Sequence, residues 1–210
     1  MSAENSQFRG KVPTMSSLRE RKRTRTRQAL IDAAAQLFER RGYDGTTIAD
    51  IAAAADVSTR TFFSYFASKE DVLFPDADAR VQAALTAIDE RRPGERPTEI
   101  LLRALGELGD AGDDLVGSMA ALRLRFVRSV PSVRGRGLQR QLDAQTEIAD
   151  RLHAAFPDEL DEVEAAALVG AFVGAIGGAL EVLLRDGDMD PDTVRERMQR
   201  ATAVALRPWT

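Results

Sequence analysis

Residues 46–69, TTIADIAAAADVSTRTFFSYFASK, constrain this chain more than any other stretch, because they set two helices and the corner between them. Thr47 stands three residues before Asp50 and just ahead of the apolar pair Ile48 and Ile51, so its hydroxyl is placed to cap the first free N–H groups of a helix. The alanines at 52–55 keep that helix slim and let a second one cross it closely. Asp56 stands where the chain must turn, and Asp tolerates the left-handed conformation better than most residues other than Gly. Val57 plugs the corner, and Ser58 is a second N-cap, opening a helix over 59–66. Phe62 and Phe66, at i and i+4, share its buried face. Thr59, Arg60, Thr61 and Ser64 then fall toward the opposite side and the N-terminal end. That is the layout of a helix-turn-helix whose second helix meets base edges in the major groove, with Arg60 best placed to specify sequence.

The chain ahead of this stretch supplies charge. Arg19, Arg21, Lys22, Arg23, Arg25 and Arg27 crowd into nine residues with only Glu20 opposing them, a density suited to a phosphate backbone. The formal net charge of −4 over 210 residues argues against nucleic acid, but it averages over an asymmetry. Residues 1–70 hold 12 basic and 8 acidic side chains, whereas the remainder holds 17 and 25. The positive end is the helix-turn-helix end. A solvated basic tail is the alternative reading, and a general preference for Arg over Lys, 26 to 3, accounts for part of the pattern. The first helix is expected from about 18–21 to 41, with Leu30, Ala34, Leu37 and Phe38 as its apolar stripe, Gly42 as its stop and Tyr43 packed beneath. Residues 1–17, with Gly10, Pro13 and no sustained period, read as a disordered arm.

The run from Arg27 to Leu73, with AAAQLF, RGYDGTTIADIA, a short aromatic helix and then F-x-SKEDVL, resembles the DNA-binding domain of the TetR family of bacterial transcriptional regulators. The resemblance covers roughly the first third of the chain. It implies a helix-turn-helix domain over 18–67 and a helical ligand-binding and dimerisation domain over 68–210. It also implies a homodimer on a pseudo-palindromic double-stranded operator, most often a repressor released by a small-molecule effector. Two positions depart from the family pattern: Asp56 stands where a turn Gly is usual, and Phe63 where a Tyr usually contacts the DNA backbone. Tyr65, two residues on, is the substitute. The phosphate-binding set expected from helix starts, flanks and the basic arm is Arg21, Arg23, Arg25, Thr46, Thr47, Phe63, Tyr65 and Lys69.

Beyond Lys69 the pattern is helical throughout, without alternating strands, and the chain reads as all-α with about nine helices. Ser68 caps a helix through Lys69, Glu70 and Asp71 that Pro75 kinks or interrupts, with continuation over 77–91. Further helices are expected at 98–110, 113–130, 133–156, 159–185 and 191–206, punctuated by Gly112, Pro131, Pro157 and Gly187. In 159–185, Gly170, Gly174, Gly177 and Gly178 share a side with Ala167. Each helical Gly costs roughly 1 kcal/mol relative to Ala, so a compensating close approach is needed. Packing within the chain is one reading. A symmetric interface between two copies is the other, and it is the one the resemblance implies, with Val194, Met198 and Ala201 of the last helix completing it.

A pocket is also read from the sequence. Gln145 is the polar misfit on a seam that includes Leu138, Leu142, Ala149, Leu152 and Phe156, and a buried Gln must find hydrogen bonds. Met119, Arg123, Phe126, Leu142, Gln145 and Phe172 are the candidate lining, against the alternative of a core edge with Gln145 partly exposed. An enzyme finds little support. One histidine, His153, and no cysteine leave no His cluster or Cys/His pair. No phosphate-binding glycine loop is present, and the carboxylate pairs Asp113–Asp114 and Asp158–Glu159 sit at helix starts, where the macrodipole favours them. No metal and no cofactor are expected. The longest uncharged run, 165–180, has 16 residues, short of the roughly 20 that span a bilayer. No membrane segment or signal peptide is read, and the cytoplasm is the expected compartment. Two rival readings are a sequence-nonspecific architectural DNA binder, which the acidic C-terminal two thirds disfavours, and an all-helical ligand-binding protein or enzyme without DNA binding.

Overall fold

The computed structural model describes residues 15–110, 118–185 and 190–207, which form nine α-helices and one 3-10 turn, with no strand among the described residues. The helices are α1 (Met15–Arg41), α2 (Ile48–Ala54), α3 (Thr59–Phe63), α4 (Ala77–Asp89), α5 (Pro97–Asp110), α6 (Ser118–Ser129), α7 (Pro131–Ala155), α8 (Glu162–Arg185) and α9 (Pro191–Leu206). The 3-10 turn, Glu70–Leu73, lies between α3 and α4.

Local chemistry sets most boundaries. Gly42 adopts φ 71°, a left-handed conformation that costs glycine little, and its N–H closes on Phe38 O at 3.0 Å, ending α1. At α2 a full capping box forms: Thr47 Oγ1 accepts from Asp50 N at 3.1 Å while Asp50 Oδ2 accepts from Thr47 N at 3.0 Å. Asp56 turns the corner at φ 54°, and Ser58 caps α3 by accepting from Thr61 N at 3.1 Å. Asp161 and Glu164 form another reciprocal cap at the start of α8, and Asp190 caps α9 ahead of Pro191.

Three boundaries differ from the sequence reading. Helix α1 begins at Met15, inside the arm expected to be disordered; residues 1–14 lie outside the described residues. Regular α-helix stops at Phe63, and Ser64 and Tyr65 follow as turn. The helix expected from Ser68 is a single 3-10 turn. Ser68 Oγ does accept from Asp71 N at 3.3 Å, but Pro75, which lacks an N–H, separates this turn from α4. The expected start of α6 near 113 lies outside the described residues.

Two cores form. The body packs Ile88, Ile100, Leu101, Leu152, Leu168, Val169, Val194 and Met198 from α4, α5, α7, α8 and α9. The head packs Leu30, Ala34, Phe38, Tyr43, Ile51, Phe62 and Phe66 with Val72 and Leu73 of the 3-10 turn. It also takes in Met119, Leu122 and Phe126 of α6 and Val133 of α7. Phe126 meets Phe38 edge-on at 5.6 Å between centroids and Tyr43 at 5.7 Å, so a body helix fills the centre of the head.

Candidate nucleic-acid interface

Burial of Phe62 and Phe66 against α1 and α2 orients α3 and leaves Thr59, Arg60, Phe63 and Ser64 exposed on the outer side. Thr61 is half-buried, its hydroxyl 2.9 Å from Ser58 Oγ, and Ser64 Oγ donates to Arg60 O at 3.2 Å. The Arg60 guanidinium is engaged by no hydrogen bond or ion pair among the described residues, so its planar fork is available to a ligand. Beside this surface runs a groove of about 1220 Å³. Arg19, Arg21, Lys22, Arg23 and Arg25 of α1 line one side, and Ala55, Asp56, Val57, Thr61, Ser64 and Tyr65 the other. The expected basic set and the exposed front of α3 are therefore brought together.

Arg27 is the exception in the basic run. Its guanidinium donates to Pro75 O and lies 5.3 Å from the Phe66 ring centroid, so it braces α1 against the segment after α3. Two of the expected phosphate contacts, Thr46 and Lys69, take other positions than anticipated, and Phe63 and Thr47 are exposed with restricted hydrogen-bonding capacity. Thr46 is fully buried, and its hydroxyl donates to Gly42 O at 2.8 Å, which removes it from any DNA surface. Lys69 points inward: Nζ donates to Tyr43 O and Thr46 O at 2.9 Å each and sits 3.8 Å from the Tyr43 ring centroid, satisfying loop carbonyls that no helix takes up. Phe63 is 56% exposed but carries no donor, so it offers apolar contact rather than a phosphate hydrogen bond. Thr47 is exposed, although its hydroxyl already donates to Asp50 Oδ2 at 2.6 Å. Tyr65, half-buried, lines the basic groove as expected of a substitute for the missing tyrosine.

Beneath the head lies a polar cluster that sequence reasoning missed. Asp71, 2% exposed, accepts from Arg136 Nε at 2.8 Å and Nη2 at 3.1 Å, and from Arg140 Nε at 3.0 Å. Ser68 Oγ donates to the same carboxylate at 3.1 Å. Burial alone would raise the Asp71 pKa, but the two guanidiniums outweigh it and hold the carboxyl below its usual range. Next to it Tyr43 Oη donates to Glu70 Oε1 at 2.6 Å, and burial together with this carboxylate pushes the phenol up. The one available signal was two arginines at i and i+4 on α7 and an acidic pair, Glu70 and Asp71, some 65 positions earlier, and spacing alone does not connect those.

The other predicted sites divide. Gly174, Gly177 and Gly178 are exposed, Gly170 is half-buried, and a Cβ added at any of the four meets nothing within 4 Å among the described residues, so the stripe lies open there. Val194 and Met198, each 1% exposed, instead belong to the body core. An i, i+4 apolar stripe on a surface helix turns toward its own core first, and Ala201 is half-buried beside it. Val204, on the opposite side of α9, is 58% exposed. An apolar cavity of about 240 Å³ exists in the body, but Phe172 is the only expected lining residue at its wall. Met119 and Phe126 fill the head core, Arg123 reaches Leu73 O at 3.4 Å, Leu142 is exposed and Gln145 is half-buried. His153 Nδ1 donates to Leu160 O at 2.8 Å, a packing role. The stretch Glu162–Leu183 is long and apolar enough to cross a membrane by length and composition alone, and 22% of it is buried within this chain.

Fold and groove together define a helix-turn-helix DNA-binding protein. Residues 30–74 match the family described as bacterial regulatory proteins, tetR family. Over 200 residues, 93% of this chain and 87% of the relative, the sequence is 32% identical to the HTH-type transcriptional regulator TcmR of Streptomyces glaucescens. It is 31% identical over 105 residues, 47% of this chain and 52% of the relative, to the HTH-type transcriptional repressor DhaR of Mycobacterium sp. strain GP1. The fold superposes on a TetR-family regulator from Syntrophomonas wolfei with TM-score 0.62 at 18% identity, covering 87% and 96% of the two chains. It also superposes on Thermus thermophilus FadR, a TetR-family repressor solved with lauroyl-CoA, with TM-score 0.51 at 22% identity, covering 86% and 93%. The chain belongs to the TetR family of bacterial transcriptional regulators: it is a DNA-binding regulator rather than an enzyme.

Proposed function

We propose that this regulator is a homodimeric repressor that grips a pseudo-palindromic operator and releases it when a small molecule occupies the body. The observation that carries the reading is the uncommitted Arg60 fork on the exposed front of α3, set beside the basic groove of α1. Arg60 and Thr59 read base edges, with Thr61 and Ser64 at the margin. Phe63 lays its ring on the same surface. Arg21, Arg23, Arg25, Thr47 and Tyr65 hold phosphates. The dimer forms through the open glycine stripe of α8 and the outer side of α9 around Val204, which would cover the apolar length of α8 that this chain leaves bare. Two recognition helices fixed by a two-fold axis then set the half-site spacing. A relative named as a repressor supports the sign of regulation, and a TetR-family repressor of Thermus thermophilus in complex with lauroyl-CoA supports a small-molecule effector. Its place of work is the bacterial cytoplasm, where its operator lies.

The test is fluorescence anisotropy against DNA flanking the protein's own gene, with excess random duplex as competitor. The reading expects retention of at least one flanking segment under competition and a stoichiometry of two chains per site. Equal affinity for all duplexes would refute sequence-specific repression.

A further inference from the structure

From the body cavity we infer a ligand class: a compact, uncharged, mostly apolar molecule of one or two fused rings, bound among α4, α5, α7, α8 and α9. The inference rests on the ligand-released reading above and specifies the site and chemistry it leaves open. Size comes first. An apolar cavity of about 150 Å³ takes up benzene, and pockets for drug-sized ligands begin near 300 Å³. At about 240 Å³ this cavity falls between them, with room for one or two fused rings.

The walls decide polarity. Val81, Ala84, Ile148, Phe172, Ile176 and Met198 are representative of the lining, and burying apolar ligand surface against them is the available driving force. The two arginines at the wall, Arg80 and Arg140, disfavour a cation, and their existing partners disfavour an anion. Arg140 already donates to Asp71 at 3.0 Å and to Asp78 at 2.8 Å. A carboxylate entering here would have to displace those partners and lie beside two acidic side chains. Gln141, at the wall, leaves room for one hydrogen bond from a hydroxyl or ring N–H.

The experiment uses the full chain without DNA and reads binding by calorimetry and by the shift in melting temperature. Naphthalene and indole are the neutral probes; 2-naphthoate and indole-3-carboxylate are their charged counterparts. Ala144→Phe fills the cavity from α7, and Ile176→Phe fills it from α8, so one variant serves if the other fails to fold by circular dichroism. The expected result is that at least one neutral probe binds, that its charged counterpart binds at least tenfold more weakly, and that the filled variant loses the neutral probe by at least tenfold. Failure of both neutral probes to bind, equal binding of a charged counterpart, or undiminished binding in a folded filled variant overturns the inference. Operator affinity is then read separately. A bound neutral probe that leaves operator affinity unchanged confirms the ligand class while refuting ligand-controlled release.

Discussion

Arg140 holds the buried Asp71 carboxylate at 2.8 Å while standing in the wall of the body cavity, so one side chain touches both the turn that carries the head and the space where a ligand would lie. Phe74, one residue past that turn, shares the cavity wall and packs against Gly137, where even a Cβ would come within 3.1 Å of the ring. Cavity and head are thus joined through a close-packed contact and an ion pair, which is the kind of element that two states can share.

Asp71→Ala removes the acceptor that holds Arg136 and Arg140. Breaking a buried pair by deleting one partner typically costs 3–5 kcal/mol, and the partial exposure of both arginines places this case near the lower end, about 3 kcal/mol. Urea unfolding should show this loss. A change below about 1 kcal/mol would mean that the cluster contributes little to stability.

The same carboxyl gives a pH signature. Its folded pKa lies below the unfolded value near 3.9, so its stabilisation is complete well above that value and is lost as pH falls through it toward the folded pKa. The stability gap between wild type and Asp71→Ala should therefore be constant from about pH 7 to pH 5 and narrow toward pH 3. A gap that widens on acidification would contradict the assignment.

Arg60→Ala should cost about 1–3 kcal/mol on the operator and little on random duplex, because a bidentate contact to guanine O6 and N7 discriminates among bases. Equal losses on both duplexes would identify a phosphate contact.

Phe63 has an exposed ring and no hydroxyl, so its natural partner in a groove is a thymine methyl or a sugar. Replacing operator thymines by deoxyuridine, one position at a time, should weaken wild-type binding at one position or more and leave Phe63→Ala indifferent there. Identical profiles for the two proteins would exclude methyl contact.

Gly174→Leu places a large side chain on the open stripe of α8. An added Cβ there meets no atom within 4 Å among the described residues, so the monomer fold should be retained, whereas a dimer seam should lose about 1–3 kcal/mol. Analytical ultracentrifugation would show dissociation at lower dilution. An unchanged dimer with normal operator affinity would move the interface elsewhere.

What could be read from sequence was local. Thr47 with Asp50, Ser58 with Thr61 and the turn at Asp56 each involve groups within four positions of one another, and each was placed as expected. The glycine stripe was visible in the sequence, but whether it packed within the chain or lay open was not, since either would offset the cost of helical glycine. Partner choice over long range was not legible. Lys69 at the head of a turn suggests a phosphate hand, but which of its surroundings lacks donors depends on the loop carbonyls of Tyr43 and Thr46, more than 20 positions earlier. Val194 and Met198 show why an apolar stripe does not announce its partner: the period that suits a dimer seam equally suits the chain's own core. Met119 and Phe126 went to the head for the same reason, since hydrophobicity locates burial but not the neighbour.

Phe126, Met119, Leu122 and Val133 complete the head core from α6 and α7. A fragment ending after the 3-10 turn would uncover Phe38 and Tyr43 at the place where Phe126 now sits, exchanging a packed aromatic trio for wet surface. The reader of DNA is therefore not a portable module. Transplanting it onto a foreign body requires carrying those four side chains along, and denaturation should melt both halves in a single transition.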